Sequence, residues 1–368
     1  MKIQTIESID EFESLRGEWN RLLRSSDSDC IFLTHEWLVT WWKHLAEGRR
    51  LAIITVRDDG ELVGIMPVAE RAAQLSRMMP RVLELLGSGL IGSDYLDVIA
   101  ARGRENDVMA ALAENLTARG MMLQFSQLRG GASGASILAD HLRQRAWSVS
   151  EAKLNVCPYI DLRGHSWESY LATLGPTVRK NINRYFRNLP KEFDMRLDSA
   201  RTPAEAEEAL EIAIDLHHKR WSAAGTSDAF QAGPVVEFHR DFVRLAAENG
   251  WLRLLVLRLN GDAVAALYGL RYARTFYFYQ SGFDPAYSKQ SVGATTMGLS
   301  IQSAIEDGAE EYDFLHGSEE YKYHWAREVR DLTRLEIHPP QTSAWIYKRA
   351  IDLNRAARQM AKRVLNRA

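Results

Sequence analysis

The sequence predicts a mixed α/β protein made of two tandem modules of one fold. Three patterns support this: a hairpin pattern at 51–65 returns at 252–266, two helical patterns precede each hairpin, and strand-like and helix-like segments alternate afterwards. The chain has 368 residues, of which 46% are hydrophobic and 26% are charged. This composition is ordinary for a globular protein, excludes a disordered chain or a coiled-coil rod, and fits about two domains.

The repeated hairpin is the strongest of these patterns. Residues 51–65 read LAIITVRDDGELVGI, and residues 252–266 read LRLLVLRLNGDAVAA. Asp-Gly or Asn-Gly between two apolar runs predicts a tight hairpin, because glycine accepts the positive φ of the turn. At a constant offset of 201 residues, the aligned pairs are Arg57/Arg258, Asp59/Asn260, Gly60/Gly261, Glu61/Asp262 and Val63/Val264. The alternative is a chance match between two common hairpins.

The helices ahead of the hairpins are predicted from apolar periodicity. They cover 8–23 and 34–45 in the first copy, and 202–221 and 234–249 in the second. Thr34 and Thr202 stand where a helix N-cap is expected, and Glu205 completes a capping box with Thr202. The order helix, helix, hairpin therefore occurs twice.

The remaining elements alternate between strand and helix. After the first hairpin we expect strands at 82–86, 95–100, 121–128, 147–150 and 158–162, with helices at 104–119 and ending at 145. After the second we expect strands at 275–281, 311–315 and 332–338, a helix at 293–307, and a final helix. Because the hairpins keep part of each sheet antiparallel, the class is α/β with mixed sheets of the α+β kind.

We place the modules at 1–165 and 166–340, and assign 341–368 to a basic amphipathic helix. The segment 345–368 carries seven cations against one acid, whereas the net charge of the whole chain is −2. Its apolar residues recur with helical spacing at Ile346, Ala350, Leu353, Ala357, Met360 and Val364. We expect this helix either to pack on the second module or to make weak contact with an anionic membrane.

Several protein classes are excluded by what the sequence lacks. Cys30 and Cys157 are too few for a disulfide framework or a four-cysteine zinc site, and neither His217-His218 nor His35-Glu36 has a metal-motif spacing. We therefore predict no metal. No N-terminal apolar segment indicates a signal peptide, and no run approaches the roughly 18 apolar residues of a membrane span. The expected location is cytoplasmic, with peripheral contact at the inner membrane face limited to the basic helix.

A strand–loop–helix unit at 275–307 is the clearest candidate site. The loop carries Lys289 and Gln290, and the helix begins near Gly293. The first amides of a helix lack intrahelical partners and lie at the positive end of its dipole, so such a loop can bind an anion such as pyrophosphate. Ser291, Thr295 and Thr296 add hydroxyl groups. The alternative is an ordinary connection in which Ser291 caps the helix.

The same stretch resembles a known family. Residues 290–295, QSVGAT, are similar to the Q/R-x-x-G-x-G/A signature of the GNAT acetyltransferases, with Thr295 where the signature has Gly or Ala. The longer pattern, YFYQSGFDPAYSKQSVG followed by YDFLHGSEEYKYHW, resembles the BioF2-like or CelD-like subgroup, which is named for cellulose biosynthesis and related to the FemAB peptidyltransferases. FLTHEWLVTWWKHL and VRKNINRYFRNL fit it as well, so the resemblance spans residues 12–338.

This resemblance implies two GNAT-like modules, of which the second carries the acyl-CoA groove and the first is degenerate. The donor would be acetyl-CoA or another acyl-CoA. The cofactor-binding residues implied are Lys289, Gln290, Ser291, Val292, Gly293, Ala294 and Thr295.

Acyl transfer also needs a base for the acceptor, a stabilised oxyanion and an acid for the thiolate. Our catalytic candidates are Asp313, Tyr321, Lys322 and His217. Alternation along the strand puts Asp313 on the face opposite Tyr312 and Phe314, where it would face a groove or pair with a cation such as Lys322. A structural ion pair is the alternative for Asp313.

Two cationic groups are candidates for substrate binding. His217 with Arg220 and Trp221 matches a histidine followed by Arg-Trp in the family pattern, although a cationic helix end explains it equally. The second group belongs to one amphipathic helix and consists of Arg179, Lys180, Arg184, Arg187 and Lys191. We expect Arg179 and Arg184 to receive an anionic group of CoA, a sugar or tRNA, or else to form a solvated face.

The sequence therefore predicts an acyltransferase that moves an acyl group from acyl-CoA to an amine or a sugar-linked acceptor, in polysaccharide or cell-envelope metabolism. One alternative is a FemAB-like transferase that uses aminoacyl-tRNA. The other is a non-catalytic scaffold of a polysaccharide assembly.

Overall fold

The computed structural model describes residues 1–71, 81–89, 91–224, 230 and 233–340. The predicted basic helix at 341–368 lies outside the described residues. The first half contains β1 (Lys2–Ile6), α1 (Ile9–Ser14), α2 (Arg16–Arg24), α3 (His35–Leu45), β2 (Arg49–Leu51), β3 (Ile53–Asp58), β4 (Glu61–Met66), β5 (Val68–Arg71), β6 (Val82–Leu85), β7 (Ile99–Ala100), α4 (Glu105–Arg119), β8 (Met122–Arg129), α5 (Gly134–Arg143) and β9 (Ser148–Asp161).

The second half begins with a short helix and ends on a long strand. Its elements are α6 (Trp167–Thr173), α7 (Pro176–Glu192), β10 (Met195–Ser199), α8 (Pro203–Ala224), α9 (Pro234–Glu248), β11 (Leu252–Leu259), β12 (Asp262–Tyr272), β13 (Thr275–Phe283), α10 (Val292–Glu306), β14 (Glu311–Asp313) and β15 (Glu328–His338). Short 3-10 helices lie at Ile31–Leu33, Pro285–Gln290 and Glu320–His324. The mixed α/β class is confirmed.

The two predicted hairpins are confirmed, and each contains the same irregularity in its strand pairing. β3 pairs with β4 and β11 pairs with β12, both antiparallel, and the register shifts at Arg57 in the first pair and at Arg258 in the second. Each of these arginines donates to the carbonyl of the turn glycine, Gly60 or Gly261. A shared turn, bulge and side-chain bond at one offset argue for a repeated module rather than a chance match.

The predicted helix starts agree with the structure, with one interruption. Thr34 accepts a hydrogen bond from the Trp37 amide, and Thr202 and Glu205 form the expected capping box. The single helix expected over 8–23 is instead two helices, α1 and α2. They separate at Leu15, whose N–H bonds to the Phe12 carbonyl only three residues back.

The strands of the described residues form two sheets. The smaller has the order β1-β3-β4-β7, and the larger has the order β10-β11-β12-β13-β14-β9-β15-β8-β6-β5-β2. β15 pairs with β8 on one side and β9 on the other, so the larger sheet runs through both predicted modules. The boundary at 165 stays a prediction.

Aromatic packing joins the two halves. The buried ring of Trp37 on α3 lies 4.9 Å and 4.6 Å from the rings of Phe238 and Phe242 on α9, and 5.7 Å from Tyr279 on β13. Its indole N–H donates to the Ser93 hydroxyl at 2.9 Å. Because Trp37, Phe238 and Phe242 are fully buried and Tyr279 is partly buried, the contact should hold the halves in a fixed relation.

Candidate functional site

The first cavity of the site lies at the carboxyl end of β13. β14 pairs with β13 only over 275–277 and ends at Asp313, whereas β13 continues to Phe283. A cavity of about 300 Å³, which we call the donor cavity, is lined by β13 at 281–283, by the amino end of α10 and by Tyr321, His324 and Trp325. Its apolar walls are formed by Ala265, Ala266, Leu267, Phe283, Met297 and Trp325.

The amino end of α10 closes one side of the donor cavity. Ser291 adopts a left-handed conformation (φ 55°) and makes no side-chain cap, and the first intrahelical bond runs from the Thr295 N–H to the Ser291 carbonyl at 3.0 Å. The amides of Val292, Gly293 and Ala294 precede that bond, and these residues line the cavity. An uncapped helix end of this kind can bind an anion.

The predicted loop residues therefore separate into two groups. Ser291, Val292, Gly293 and Ala294 line the donor cavity. The other three lie away from its lining: Lys289 is exposed, Gln290 has a buried Oε1 without a hydrogen-bond partner, and Thr295 is buried with its hydroxyl donating to the Ser291 carbonyl.

Arg220 is the cation of the donor cavity. Its guanidinium carbon lies 5.1 Å from the centre of the Phe283 ring, 5.4 Å from Trp221 and 6.0 Å from Tyr321. It also donates to the Ser281 hydroxyl at 3.3 Å. Stacking against aromatic rings holds the charge in place while leaving its edge available to a phosphate or an oxyanion.

A glycine on β13 makes this placement of α8 possible. A Cβ atom at Gly282 would overlap the backbone of Leu216 and His217, so only glycine lets the helix lie this close to the strand. Arg220, one helical turn further along α8, is thereby brought to the cavity. Trp221 is half-buried beside it, and its indole nitrogen has no hydrogen-bond partner among the residues that the structure describes.

A second cavity, of about 410 Å³, lies on the other side of Tyr321 and is here called the acceptor cavity. Tyr321 lines both cavities. Polar side chains on the wall of the acceptor cavity are Asn155, Gln280, His316, Glu319, Tyr321 and Lys322. Gly92, from the first half of the chain, lies against the ring of His316.

Lys322 lines the acceptor cavity but is already engaged. The residue is 3% exposed, and its ammonium group donates to the carbonyls of Leu315 and His316 and pairs with Glu319 at 3.0 Å. A Cβ atom at Gly317, which has φ 126°, would come within 2.8 Å of the Lys322 nitrogen. Lys322 therefore fixes the loop after β14.

Asp313 pairs with Arg330, which corrects the expected pairing with Lys322. Its carboxylate accepts from Arg330 at 3.0 Å, from the Tyr95 hydroxyl at 2.6 Å and from the Leu315 amide at 2.7 Å. The carboxylate is fully buried, and burial raises the pKa of Asp313 to about 7 although Arg330 opposes this. Asp313 lines neither cavity, so its contacts are those of a structural ion pair.

His217 lies behind the donor cavity, on the side of β13 covered by α8. It is 1% exposed, its Nδ1 lies 3.3 Å from the Ser281 carbonyl, and its ring is 5.2 Å from that of Phe230. Burial lowers the pKa of His217 to about 4, so the ring is neutral at pH 7. His217 borders the site through β13 and lines neither the donor cavity nor the acceptor cavity.

Arg179 and Arg184 lie on α7, away from both cavities. Arg184 is exposed and Arg179 is half-buried. α7 packs on α10 through Phe186, whose ring would lie 3.0 Å from a Cβ atom at Gly298. In the part of the chain that the structure describes, none of the α7 cations is in an ion pair, so the cationic face beside α10 is available to an anion.

Sequence reasoning missed Asp94, which stands in the segment GSDYLD ahead of β7. Asp94 is fully buried and contacts His316, 222 residues away. Two acids in an otherwise apolar segment are the one signal that points to this residue, and nothing in the sequence reveals its partner.

Within the described residues, no three His, Cys, Asp or Glu side chains lie close enough together to hold a metal ion. The same residues contain no helix long and apolar enough to cross a bilayer.

Comparisons with known proteins bear on the second half and on the fold. Residues 176–323 match the family described as the acetyltransferase (GNAT) domain, which confirms the GNAT resemblance for that segment. No curated protein matches the chain. The BioF2-like or CelD-like subgroup stays a prediction.

Solved structures show the same fold at low sequence identity. FemX is 9% identical, with 91% of this chain and 97% of that one covered and a TM-score of 0.64. The C-terminal domain of a putative lysylphosphatidylglycerol synthetase from Agrobacterium fabrum is 12% identical, with 94% and 98% covered and a TM-score of 0.54. L-PGS from Bacillus licheniformis is 11% identical, with 93% and 95% covered and a TM-score of 0.54.

Proposed function

We propose that the protein is an acyltransferase whose donor, acetyl-CoA or another acyl-CoA, binds in the donor cavity and whose acceptor binds in the acceptor cavity. The observation that carries this proposal is the position of Tyr321, which lines both cavities. The GNAT match over 176–323 supports it, because that segment contains β13, α10 and Tyr321.

The donor cavity suits an acyl-CoA in charge and in shape. The amides of Val292, Gly293 and Ala294, which precede the first intrahelical hydrogen bond of α10, would bind the pyrophosphate. The apolar wall beyond them would contact the pantetheine arm, which is long and mostly uncharged. The thioester would then reach Tyr321 at the far end of the cavity.

Tyr321 can supply a proton to the leaving thiolate, because a phenol is protonated at neutral pH. Burial raises the pKa of Tyr321, which weakens it as an acid, and the neighbouring Arg220 guanidinium opposes that rise. In the reaction the acceptor attacks the thioester carbonyl, an oxyanion forms, and the CoA thiolate leaves. The phenol would donate its proton to that thiolate, and Arg220, beside the Tyr321 ring, would stabilise the negative charge.

The acceptor we propose is an amine or a sugar-linked amine or hydroxyl. The wall of the acceptor cavity mixes aromatic rings with amide, imidazole and hydroxyl groups, as is common in sites for polar organic molecules. The family resemblance is what supports placing this reaction in polysaccharide or cell-envelope metabolism in the cytoplasm.

Calorimetric titration with acetyl-CoA tests the donor site. Gly293→Glu puts a carboxylate among the amides that would bind pyrophosphate, so we expect affinity to fall by at least about 100-fold, as charge repulsion and lost hydrogen bonds combine. Gly17→Glu is the matched control: Gly17 is also the second residue of its helix, α2, and a Cβ there meets nothing within 4 Å. Equal loss in both variants, or no binding by the parent protein, would contradict the proposal.

A second candidate donor is aminoacyl-tRNA, as the FemAB resemblance implies. The observation that favours it is the cationic face of α7 next to α10, built from Arg179, Lys180, Arg184, Arg187 and Lys191. The same titration with bulk tRNA in place of acetyl-CoA distinguishes the donors. Salt-sensitive tRNA binding that is lost in an Arg184→Glu, Arg187→Glu variant, with no response to acetyl-CoA, would favour tRNA. Binding of neither donor would favour a scaffold.

A further inference from the structure

The acceptor cavity contains a hydrogen-bonded pair of side chains from opposite halves of the chain. Nδ1 of His316 lies 2.9 Å and 3.0 Å from the two carboxylate oxygens of Asp94. The His316 backbone N–H donates to the same carboxylate at 2.8 Å. Asp94 stands on the loop ahead of β7, and His316 stands on the loop after β14. The carboxylate thus holds both the backbone and the ring of His316.

The orientation of this pair directs one ring nitrogen to the cavity. The Asp94 side chain is fully buried, whereas the His316 side chain is 39% exposed and lines the cavity. Because Asp94 can only accept when ionised, Nδ1 carries the proton that it donates to the carboxylate. Proton exchange with a ligand is then left to Nε2. The neutral ring presents Nε2 as an acceptor, as a general base requires.

Further contacts keep the pair in place. Asp94 also accepts from the Gln127 amide at 3.1 Å, and the Cys157 thiol lies 3.7 Å from it. Lys322 fixes the His316 carbonyl at 2.7 Å. A Cβ atom at Gly92 would lie 3.2 Å from Cε1 of His316, so a larger residue there would crowd the His316 ring. A rigid surrounding of this kind orients a catalytic side chain in advance of binding.

We propose that His316 is the general base of the acceptor cavity and that Asp94, from the first half of the chain, is its positioning residue. This inference rests on the proposed acyl transfer. The acceptor nitrogen or oxygen forms a bond to the thioester carbonyl carbon while its proton moves to Nε2 of His316. The tetrahedral oxyanion then collapses, the C–S bond breaks, and the thiolate takes a proton from Tyr321. The products are the acylated acceptor and CoA.

The charged groups around His316 set its pH dependence. Asp94 acts through its hydrogen bond and raises the pKa of His316, whereas burial and Lys322 lower it and Glu319 raises it. The Cys157 thiol on β9 faces Asp94, and burial raises its pKa, so it stays uncharged. A base acts in its neutral form, so the rate should rise with pH through a midpoint above 6.5.

Modification by diethyl pyrocarbonate tests the pair of Asp94 and His316, and it requires no acyl-acceptor substrate. The reagent attacks neutral imidazole nitrogens, and peptide mass spectrometry reports the extent at each histidine. We expect His316 to react with a midpoint above pH 6.5 in the parent protein and at lower pH in Asp94→Asn, because burial and Lys322 are then opposed only by the smaller effect of Glu319. Buried His217 is the internal control, and it should stay unreactive.

Slow hydrolysis of acetyl-CoA, with water as acceptor, gives a second measurement. The rate measured with Gly293→Glu serves as the background and is subtracted. We then expect His316→Gln to hydrolyse acetyl-CoA about 100-fold more slowly than the parent protein, because it lacks the general base. Its affinity for acetyl-CoA should be unchanged. His316 is half-exposed, so His316→Gln keeps the test valid if Asp94→Asn fails to fold.

The inference is overturned if His316 is inert to the reagent at pH 8, or if Asp94→Asn leaves its midpoint unchanged. Full hydrolysis in His316→Gln would overturn it as well. Failure of the parent protein to bind acetyl-CoA would instead contradict the proposed function, and the modification profile is independent of that result.

Discussion

The first backbone amides of α5 and α10 have no partner within their own helix, and the two helix ends differ in what those amides can bind. At α5, Ser133 caps the Ser136 amide, and the Asp97 carboxylate accepts from the amides of Gly134 and Ala135 at 3.0 Å and 2.7 Å. At α10, Ser291 makes no side-chain cap, and the amides of the first three residues border the donor cavity. One helix end is occupied by the chain itself, and the other is open.

This difference separates a structural helix end from a binding site. The α5 end also borders a cavity, of about 550 Å³, but the Asp97 carboxylate there would repel a phosphate. Among the described residues, the side chains that line the donor cavity at α10 include the Arg220 guanidinium and no carboxylate. The same helix geometry therefore supports fold stability in the first half and, in our proposal, anion binding in the second.

The largest effect should follow from removing the carboxylate at α5. Asp97→Ala leaves the Ser28 hydroxyl and three backbone amides, those of Val98, Gly134 and Ala135, without their acceptor. We therefore expect the free energy of unfolding to fall by about 3 kcal/mol. Urea unfolding measures this. Asp27→Ala is the control, since its ion pair with Arg102 is exposed to solvent and should contribute little to stability. Equal losses would mean that Asp97 does not stabilise the α5 end.

A smaller effect compares the two residues that precede the helices. Ser133→Ala removes a capping box and should cost about 1 kcal/mol in the free energy of unfolding. Ser291→Ala should cost much less, because the Ser291 side chain makes no cap hydrogen bond. Similar losses in thermal unfolding experiments would contradict the contrast between the two ends.

Local signals predicted much of the fold and one side of the site. The hairpins were predictable because an Asp-Gly or Asn-Gly turn is encoded within a few residues, and so was the open end of α10, which is encoded by the loop 289–295 and its family resemblance. Asp313 was singled out as a catalytic candidate, with a structural ion pair as the alternative, but its partner Arg330 lies on β15 and could not be inferred from the order of residues.

The acceptor side of the site depends on contacts that no local pattern encodes. Asp94 and His316 are 222 residues apart and meet because β9, β14 and β15 bring the two halves into one sheet. Gly92 is also far from His316 in the sequence, so its contact with the His316 ring could not be inferred either. Long-range pairings of this kind appear only once the strand order is known.

Amide hydrogen exchange in the presence of acetyl-CoA tests the central claim most directly, because the two helix ends are measured in one sample. Our account predicts that saturating acetyl-CoA slows exchange at Val292, Gly293 and Ala294, whose amides gain an acceptor, and leaves exchange at Gly134 and Ala135, already bonded to Asp97, unchanged. Unchanged exchange at α10 with saturating acetyl-CoA, or equal slowing at both ends, would contradict the account.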